Sequence, residues 1–301
     1  MVDLSTDWLG LTLRSPLVVG ASPLCDTLDH ARSMVEAGAG AVVMASLYEE
    51  QLLADQMAAH HHFDSHTDTD AEARSFLADT EVFAVTAEPM LRRIATLVDG
   101  LDVPVVGSLN GVTPGGWTSF ARDLADAGAS AVELNLYDIA TDVAETGEQI
   151  ERRQLEVVAS VASAVEVPVS VKLSPTYSSV PNFVSRIGDA GAAGVVLFNR
   201  FYQPDIDLEA LEADRTLHLS TSAELPSRLH ALGALHHRVG LALASSGGVH
   251  TGRDAAKAIL CGAHAVQLVS ALLAGGPDAL RRIEAELRGW LDEHGYRDLA
   301  E

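Results

Sequence analysis

A repeated small-residue turn constrains the fold of this chain more than any other feature. The turn follows a helical pattern and precedes a short apolar segment at four places: Ala37-Gly38-Ala39, Ala127-Gly128-Ala129, Ala190-Gly191-Ala192 and Cys261-Gly262-Ala263. Glycine adopts the left-handed conformation that ends a helix, and alanine lets the helix pack closely on a sheet. The repeat therefore predicts helices that alternate with parallel strands.

Eight apolar segments fit the strand positions of this pattern. In chain order they are residues 17–22, 41–47, 104–110, 130–136, 167–174, 193–199, 240–248 and 264–272. Each is apolar without alternation, which is typical of parallel strands buried on both faces. Eight such units in 301 residues favour one (β/α)8 TIM barrel over residues 1–301 rather than a doubly wound sheet.

Residues 48–89, between the second and third predicted strands, form the longest stretch without a clear pattern. We interpret this stretch as an insertion and a candidate lid. It contains a histidine- and aspartate-rich segment, residues 60–70. The spacing there matches no metal-ligand motif, so we predict a solvated acidic loop and no metal site.

The charge balance limits the partners of the chain. Acidic residues outnumber basic ones by 42 to 20, which disfavours binding to nucleic acid or to anionic membranes. No apolar run is long enough to span a bilayer and no signal-peptide pattern is present, so we expect a cytoplasmic protein. Two cysteines, Cys25 and Cys261, are too few for a disulfide framework or an iron–sulfur cluster.

Rare polar residues fall at the predicted carboxyl ends of the strands, where barrel active sites lie. Asn110, Asn135 and Asn199 are three of only four asparagines, and Lys172 is one of only two lysines. A buried lysine needs a partner for its charge. The pattern indicates either an internal ion pair or a cation held against an anionic or electron-rich ligand. Each asparagine either caps a loop or binds a ligand.

The ends of the seventh and eighth predicted strands suggest a phosphate site. Gly247 and Gly248 follow the seventh strand and precede a helix that starts near Arg253, while Val269 and Ser270 end the eighth. Backbone amides in such loops bind anions, and this pair of loops binds phosphate in many barrels. A plain tight turn is the alternative.

Seven motifs spread over nearly the whole chain support a family resemblance. They are LGLTLRSPLVVGASPL, SLNGVTPGGW, VELNLY, VPVSVKLSP, LFNRFYQPDIDLE, LHLST and SGGVHTGRDA. With them the chain resembles the dihydroorotate dehydrogenases, FMN-containing barrels of pyrimidine biosynthesis, and is most similar to their bacterial dihydroorotate dehydrogenase-like branch. The resemblance implies an FMN-dependent oxidoreductase that acts on a CH–CH group.

The resemblance also implies roles for individual residues. Ala21, Ser22, Ser46 and Asn135 would lie along the flavin, and Lys172 would contact its electron-rich N1–O2 edge, where a cation stabilises the reduced form. The phosphate would bind to the amides of Gly247, Gly248, Val269 and Ser270. The substrate would contact Asn110, Asn135 and Asn199. No NAD fingerprint or iron–sulfur ligand set is present, so we expect a separate electron acceptor; related barrels often form homodimers.

Three departures from the family pattern bear on the substrate. Ala45 replaces a lysine after the second strand, and residues 48–109 contain no asparagine. After the fourth strand, residues 137–140 replace a segment whose cysteine or serine is the family's base. Asp138 is therefore the candidate base or a cap, and Tyr137 a proton donor or a stacking residue. These changes argue against dihydroorotate itself as substrate.

Two other functions remain open from the sequence. One is a flavin-binding regulatory protein or redox-complex subunit without turnover of its own. The other is a phosphate-binding barrel lyase in which Lys172 forms a Schiff base.

Overall fold

The computed structural model describes residues 2–46, 80–110, 116–136, 140–200, 205–214 and 218–301. Its strands are β1 Thr6–Trp8, β2 Leu11–Leu13, β3 Leu17–Val19, β4 Ala41–Val43, β5 Val105–Asn110, β6 Ala131–Asn135, β7 Val169–Leu173, β8 Gly194–Leu197, β9 Asp205–Asp207, β10 Glu212–Asp214, β11 Ala242–Ser246 and β12 Ala265–Leu268. Its helices are α1 Leu28–Glu36, α2 Thr80–Gly100, α3 Gly116–Asp126, α4 Gly147–Ala162, α5 Val180–Asp189, α6 Leu225–Leu235, α7 Gly252–Leu260 and α8 Ser270–Glu293.

Eight parallel strands close into a barrel, and all eight coincide with predicted segments. The barrel runs β3, β4, β5, β6, β7, β8, β11, β12 and back to β3. The four turn glycines at 38, 128, 191 and 262 adopt φ values between 98° and 112°, which explains why glycine ends each preceding helix. The predicted TIM barrel is confirmed.

The structure differs from the sequence prediction in the region of residues 48–89. Helix α2 begins at Thr80 and contains Pro89, so the last ten residues of that stretch are helical. The helix includes this proline although proline usually breaks a helix interior. Residues 47–79, with the histidine-rich segment, lie outside the described residues.

Two antiparallel hairpins, β1–β2 and β9–β10, are not predicted, because three-residue strands are too short to show a period. The first hairpin closes the amino-terminal end of the barrel. Trp8 and Leu13 are fully buried there and pack with interior residues such as Val18, Val43 and Val106. Because this end is filled with apolar side chains, the polar interior lies toward the carboxyl ends of the strands.

Within the described part of the chain, no helix is both long enough and apolar enough to cross a membrane.

Candidate active site

A buried polar triad crosses the barrel interior. Lys172 on β7 has its Nζ 3.3 Å from Glu133 Oε1 on β6 and donates to Gln267 Oε1 on β12 at 2.8 Å. Gln267 Nε2 donates in turn to Glu133 Oε2. The exposed fractions are 4% for Lys172, 0% for Glu133 and 1% for Gln267. The lysine therefore has an internal ion pair, one of the two arrangements that the sequence indicates.

This pairing does not use up the lysine's hydrogen-bonding capacity. An ammonium group carries three donors, and two of them are directed at Glu133 and Gln267. No described residue takes the third, which is therefore open to a ligand as far as these residues show. Lys172 can thus satisfy an internal partner and contact a bound molecule at the same time.

Asn135, the last residue of β6, lies beside Lys172 in the strand register. Its Nδ2 is 2.9 Å from Ser108 Oγ, 3.1 Å from Ser46 Oγ and 3.2 Å from the Leu109 carbonyl oxygen. The two serine hydroxyls are themselves 2.7 Å apart. The amide NH2 group is therefore held by neighbouring strands, which leaves the carbonyl Oδ1 as the acceptor for a ligand.

The other residues predicted to bind the flavin or the substrate also lie near the carboxyl-terminal mouth of the barrel. Asn110 ends β5 opposite Asn135 in the register and is 5% exposed. Asn199 follows β8, is half-buried, and its backbone N–H donates to the Leu173 carbonyl at 2.7 Å. After β3, Ala21 packs against the interior cluster and Ser22 Oγ donates to the Gly20 carbonyl at 3.0 Å. All of these residues lie at the carboxyl ends of the strands.

The predicted phosphate loops meet at Ser220. Gly247 and Gly248 follow β11 with φ values of 85° and 81°. The Gly248 amide donates to Ser220 Oγ at 3.3 Å, and the Ser220 amide donates to Ser270 Oγ at 3.1 Å. The loops after β8, β11 and β12 are thus joined into one polar rim, where backbone amides and hydroxyls are close together.

Helix α7 contributes less to this rim than its position suggests. Asp254 Oδ2 accepts from the amides of His250 and Thr251 at 3.2 and 3.1 Å, and Glu286 Oε2 accepts from the amide of Gly252 at 2.7 Å. Burial acts to raise the pKa of Asp254, but hydrogen bonds, first that of Ser222, outweigh it and hold the pKa below its ordinary value. These carboxylates already satisfy the amide of Gly252 and those of the two residues before it, so an anion has to bind elsewhere on the rim.

A buried arginine, Arg228, binds the backbone next to Gly247 and Gly248. Arg228 Nε donates to the Ser246 carbonyl at 3.2 Å, and Nη1 donates to the Glu224 carbonyl at 2.9 Å. Burial lowers the pKa of this guanidinium, and the nearby carboxylate of Glu224 opposes that effect. Arg228 thus fixes the loop backbone and adds positive charge behind Gly247.

The two candidate proton-transfer residues, Tyr137 and Asp138, lie outside the described residues. Their roles stay predictions. Ala45, by contrast, is described and half-buried after β4, at the position where the family pattern has a lysine.

Glu133 and Gln267 are not among the residues predicted for the site. Both stand inside apolar strands, in AVELN and AVQL, and a polar residue in a strand buried on both faces was the available signal. Glu133 is also two residues before Asn135, and strand residues two apart face the same side. Because Asn135 faces the barrel interior, this spacing would have placed the Glu133 side chain in the interior as well.

In the described part of the chain, no group of three or more histidine, cysteine, aspartate or glutamate residues could hold a metal ion. The predicted absence of a metal site in residues 60–70 concerns residues that are not described.

The chain is similar to known dihydroorotate dehydrogenases. A family model described as Dihydroorotate dehydrogenase matches residues 77–291. A protein of Aeropyrum pernix, named provisionally as a dihydroorotate dehydrogenase A (fumarate), is 34% identical over 214 residues, 69% of each chain. The dihydroorotate dehydrogenase B (NAD(+)) catalytic subunit of Desulforudis audaxviator is 30% identical over 227 residues, 71% of each chain.

One further relative extends the similarity to nearly the full length. The dihydroorotate dehydrogenase B (NAD(+)) catalytic subunit of Methanothermobacter thermautotrophicus is 24% identical over 306 residues, 99% of this chain and 96% of that protein. The fold, the strand-end residues and these matches agree: the chain belongs to the dihydroorotate dehydrogenase family.

Proposed function

We propose that the protein is a flavin-dependent oxidoreductase that uses FMN and acts on the CH–CH group of a small substrate. The observation that carries the proposal is the position of Lys172. It is a buried ammonium group at the carboxyl end of the barrel, with one donor left for an electron-rich ligand. Family membership supports the flavin, and the polar rim supports FMN in particular.

The residues of the rim fit a phosphate-bearing cofactor. A Cβ atom on Gly248 would lie 2.6 Å from the Leu225 backbone nitrogen, and one on Gly247 would lie 3.1 Å from Arg228 Nη2. The close packing and the positive φ values therefore require glycine at both positions. The Gly247 backbone, the hydroxyls of Ser220 and Ser270, and the charge of Arg228 together form the kind of donor set that binds phosphate, while the Gly248 amide already donates to Ser220 Oγ.

Each protein group then has a defined task. A bound flavin supplies the hydride-transfer chemistry. Lys172 would hold the electron-rich edge of the flavin and neutralise negative charge there, and Asn110, Asn135 and Asn199 would orient the substrate. Asp138, or alternatively Tyr137, would accept or deliver the proton at the substrate carbon. Ala21, Ser22 and Ser46 line the flavin, with Val269 and Ser270 at its phosphate.

The proposal excludes one substrate and names the class of electron acceptor. We do not propose dihydroorotate as the substrate, because Ala45 and residues 137–140 lack the family's lysine and its cysteine or serine base. The acceptor is proposed to be a separate molecule, in line with relatives whose names specify fumarate or NAD(+). A cytoplasmic location and a homodimer stay predictions.

A Schiff-base lyase has less support. A lysine that attacks a carbonyl must present a neutral amine, whereas Lys172 Nζ is held by a carboxylate and an amide oxygen. Both contacts use Lys172 as a hydrogen-bond donor, and a nitrogen held in this way does not present a lone pair to a carbonyl carbon.

The test begins with the visible spectrum of the purified protein, reconstituted with FMN if necessary. We expect a flavin spectrum and release of FMN on denaturation. Lys172→Met should weaken FMN binding and make the flavin harder to reduce, while Lys257→Met, which changes the exposed second lysine, should not. A protein that binds no FMN, or a Lys172→Met variant with unchanged affinity and potential, would contradict the proposal.

Anaerobic titration then separates the remaining functions. Bleaching of the flavin by dihydroorotate would show that the altered loop still supports that reaction. Bleaching by another saturated CH–CH compound would identify the substrate class. A flavin that a chemical reductant bleaches but no metabolite does would favour the regulatory or subunit role, and trapping with borohydride and a carbonyl compound would favour the lyase.

A further inference from the structure

We propose that Glu133 and Gln267 set the reduction potential of the bound flavin by controlling the charge and the position of Lys172. This inference rests on the proposed function, because it requires a flavin at Lys172. It assigns a positioning role to two residues that do not themselves reach the mouth of the barrel.

The triad is a closed hydrogen-bonded ring. Lys172 Nζ contacts one oxygen of Glu133 and the side-chain oxygen of Gln267, and Gln267 Nε2 donates to the other oxygen of Glu133. The orientation of the Gln267 amide is fixed by this ring, since its oxygen has to face an ammonium and its nitrogen a carboxylate. Lys172 Nζ therefore has two acceptors, and each of the other four polar atoms of the ring has one defined partner.

The ring holds the lysine from opposite walls of the barrel. Glu133 is on β6, adjacent to β7, whereas Gln267 is on β12, between β11 and β3. Lys172 is a long side chain with several rotatable bonds, so a partner on one side only would leave the ammonium free to swing. Contacts from two directions fix its height above the apolar floor of the barrel.

The ring also reduces the charge that a ligand senses. A lysine alone would place a full positive charge at the flavin edge, but the fully buried carboxylate of Glu133, 3.3 Å away, brings the net charge of the triad to zero. Charges interact strongly in the barrel interior because water does not screen them there. The potential of the flavin should therefore depend on Glu133 as well as on Lys172.

Two isosteric substitutions change this charge in opposite directions. Glu133→Gln removes the compensating carboxylate and should favour reduction, raising the equilibrium constant against a reference dye by about tenfold or more. Gln267→Glu adds a second carboxylate and should lower the same constant by a similar factor. A merely structural role would not give opposite signs, because both changes perturb the same packing.

The experiment compares the FMN-loaded wild type with both variants in anaerobic equilibrium with a reference dye. Glu148→Gln is the matched control, because Glu148 is on the surface with its side chain 75% exposed, and it should leave the constant unchanged. Opposite shifts in the two variants would support the inference. Wild-type constants in both, or shifts of the same sign, would overturn it.

The outcomes also distinguish this inference from the proposed function. A wild type that binds no FMN would refute the proposed function itself. A wild type that binds FMN, together with variants that bind it and keep the wild-type constant, would refute only the role of the triad. If one variant does not fold, the sign of the shift in the other still decides between the two results.

Discussion

Removing the charge of Lys172 should destabilise the protein even without a cofactor. At 3.3 Å and an effective dielectric constant of about 20, the attraction between Lys172 and Glu133 is about 5 kcal/mol. Burial of each ion costs several kcal/mol, so the intact pair contributes little net stability. Lys172→Met, however, leaves the fully buried Glu133 without its cation, and such a loss costs about 3–5 kcal/mol.

The double variant Lys172→Met/Glu133→Gln tests this explanation. It removes both charges, so it should recover most of the lost stability, to within about 2 kcal/mol of the wild type. The assay is urea unfolding of the apoprotein, followed by circular dichroism and tryptophan fluorescence. Lys257→Met is the control, because that lysine is exposed and its change should cost less than about 1 kcal/mol.

Two results would refute the reasoning. If Lys172→Met unfolded within about 1 kcal/mol of the wild type, Glu133 could not be a buried carboxylate that depends on the lysine. If the double variant were as unstable as Lys172→Met, the loss would come from packing rather than from the unpaired charge.

Three further predictions concern other parts of the molecule. Gly248→Ala should abolish FMN binding in a fluorescence titration, since the new methyl group would press against the Leu225 nitrogen. The control Gly295→Ala should bind FMN normally, because Gly295 has a similar φ but no atom within 4 Å of the added methyl group. Iodoacetamide at pH 8 should label Cys261 slowly and spare Cys25, because burial and the neighbouring Asp26 raise the pKa of Cys25 to about 12. Mass spectrometry after labelling in denaturant should show both cysteines modified. Labelling of Cys25 in the native protein would count against its burial. Burial, together with His237 and His264, lowers the pKa of His236 in the folded protein. As the pH falls through about 6.5, the imidazole is therefore protonated in the unfolded chain before it is in the folded one. The melting temperature should decrease below that pH, and less steeply in His236→Gln.

The barrel could be predicted from the sequence because its signals are local. Each turn glycine lies next to the helix that it ends, and each strand is a continuous apolar segment, so neither depends on distant residues. The strand-end position of Lys172 is local in the same sense. Helix α2 was partly missed because Pro89, a local breaker signal, lies inside it.

The triad could not be predicted in the same way. Glu133 and Gln267 are 134 residues apart in the chain, and they meet only because the barrel closes between β12 and β3. Likewise, Ser46 reaches Asn135 from the segment after β4, and Ser108 from β5. A polar residue in an apolar strand indicates that a partner exists, but the curvature of the closed sheet determines which residue it is.

Lys172 and Asn135 together constrain what the mouth of the barrel can bind. They are opposite each other in the register, and neighbouring parallel strands are about 5 Å apart. Lys172 offers its remaining N–H donor. Asn135 offers an acceptor, because the Leu109 carbonyl can only accept and thereby fixes the NH2 side of the amide. A ligand edge that fits both must place an acceptor near an N–H group, an arrangement that the pyrimidine side of a flavin ring has and that a purely anionic ligand lacks. The pair therefore favours a flavin edge over a bare anion such as phosphate at this position, independently of the phosphate rim.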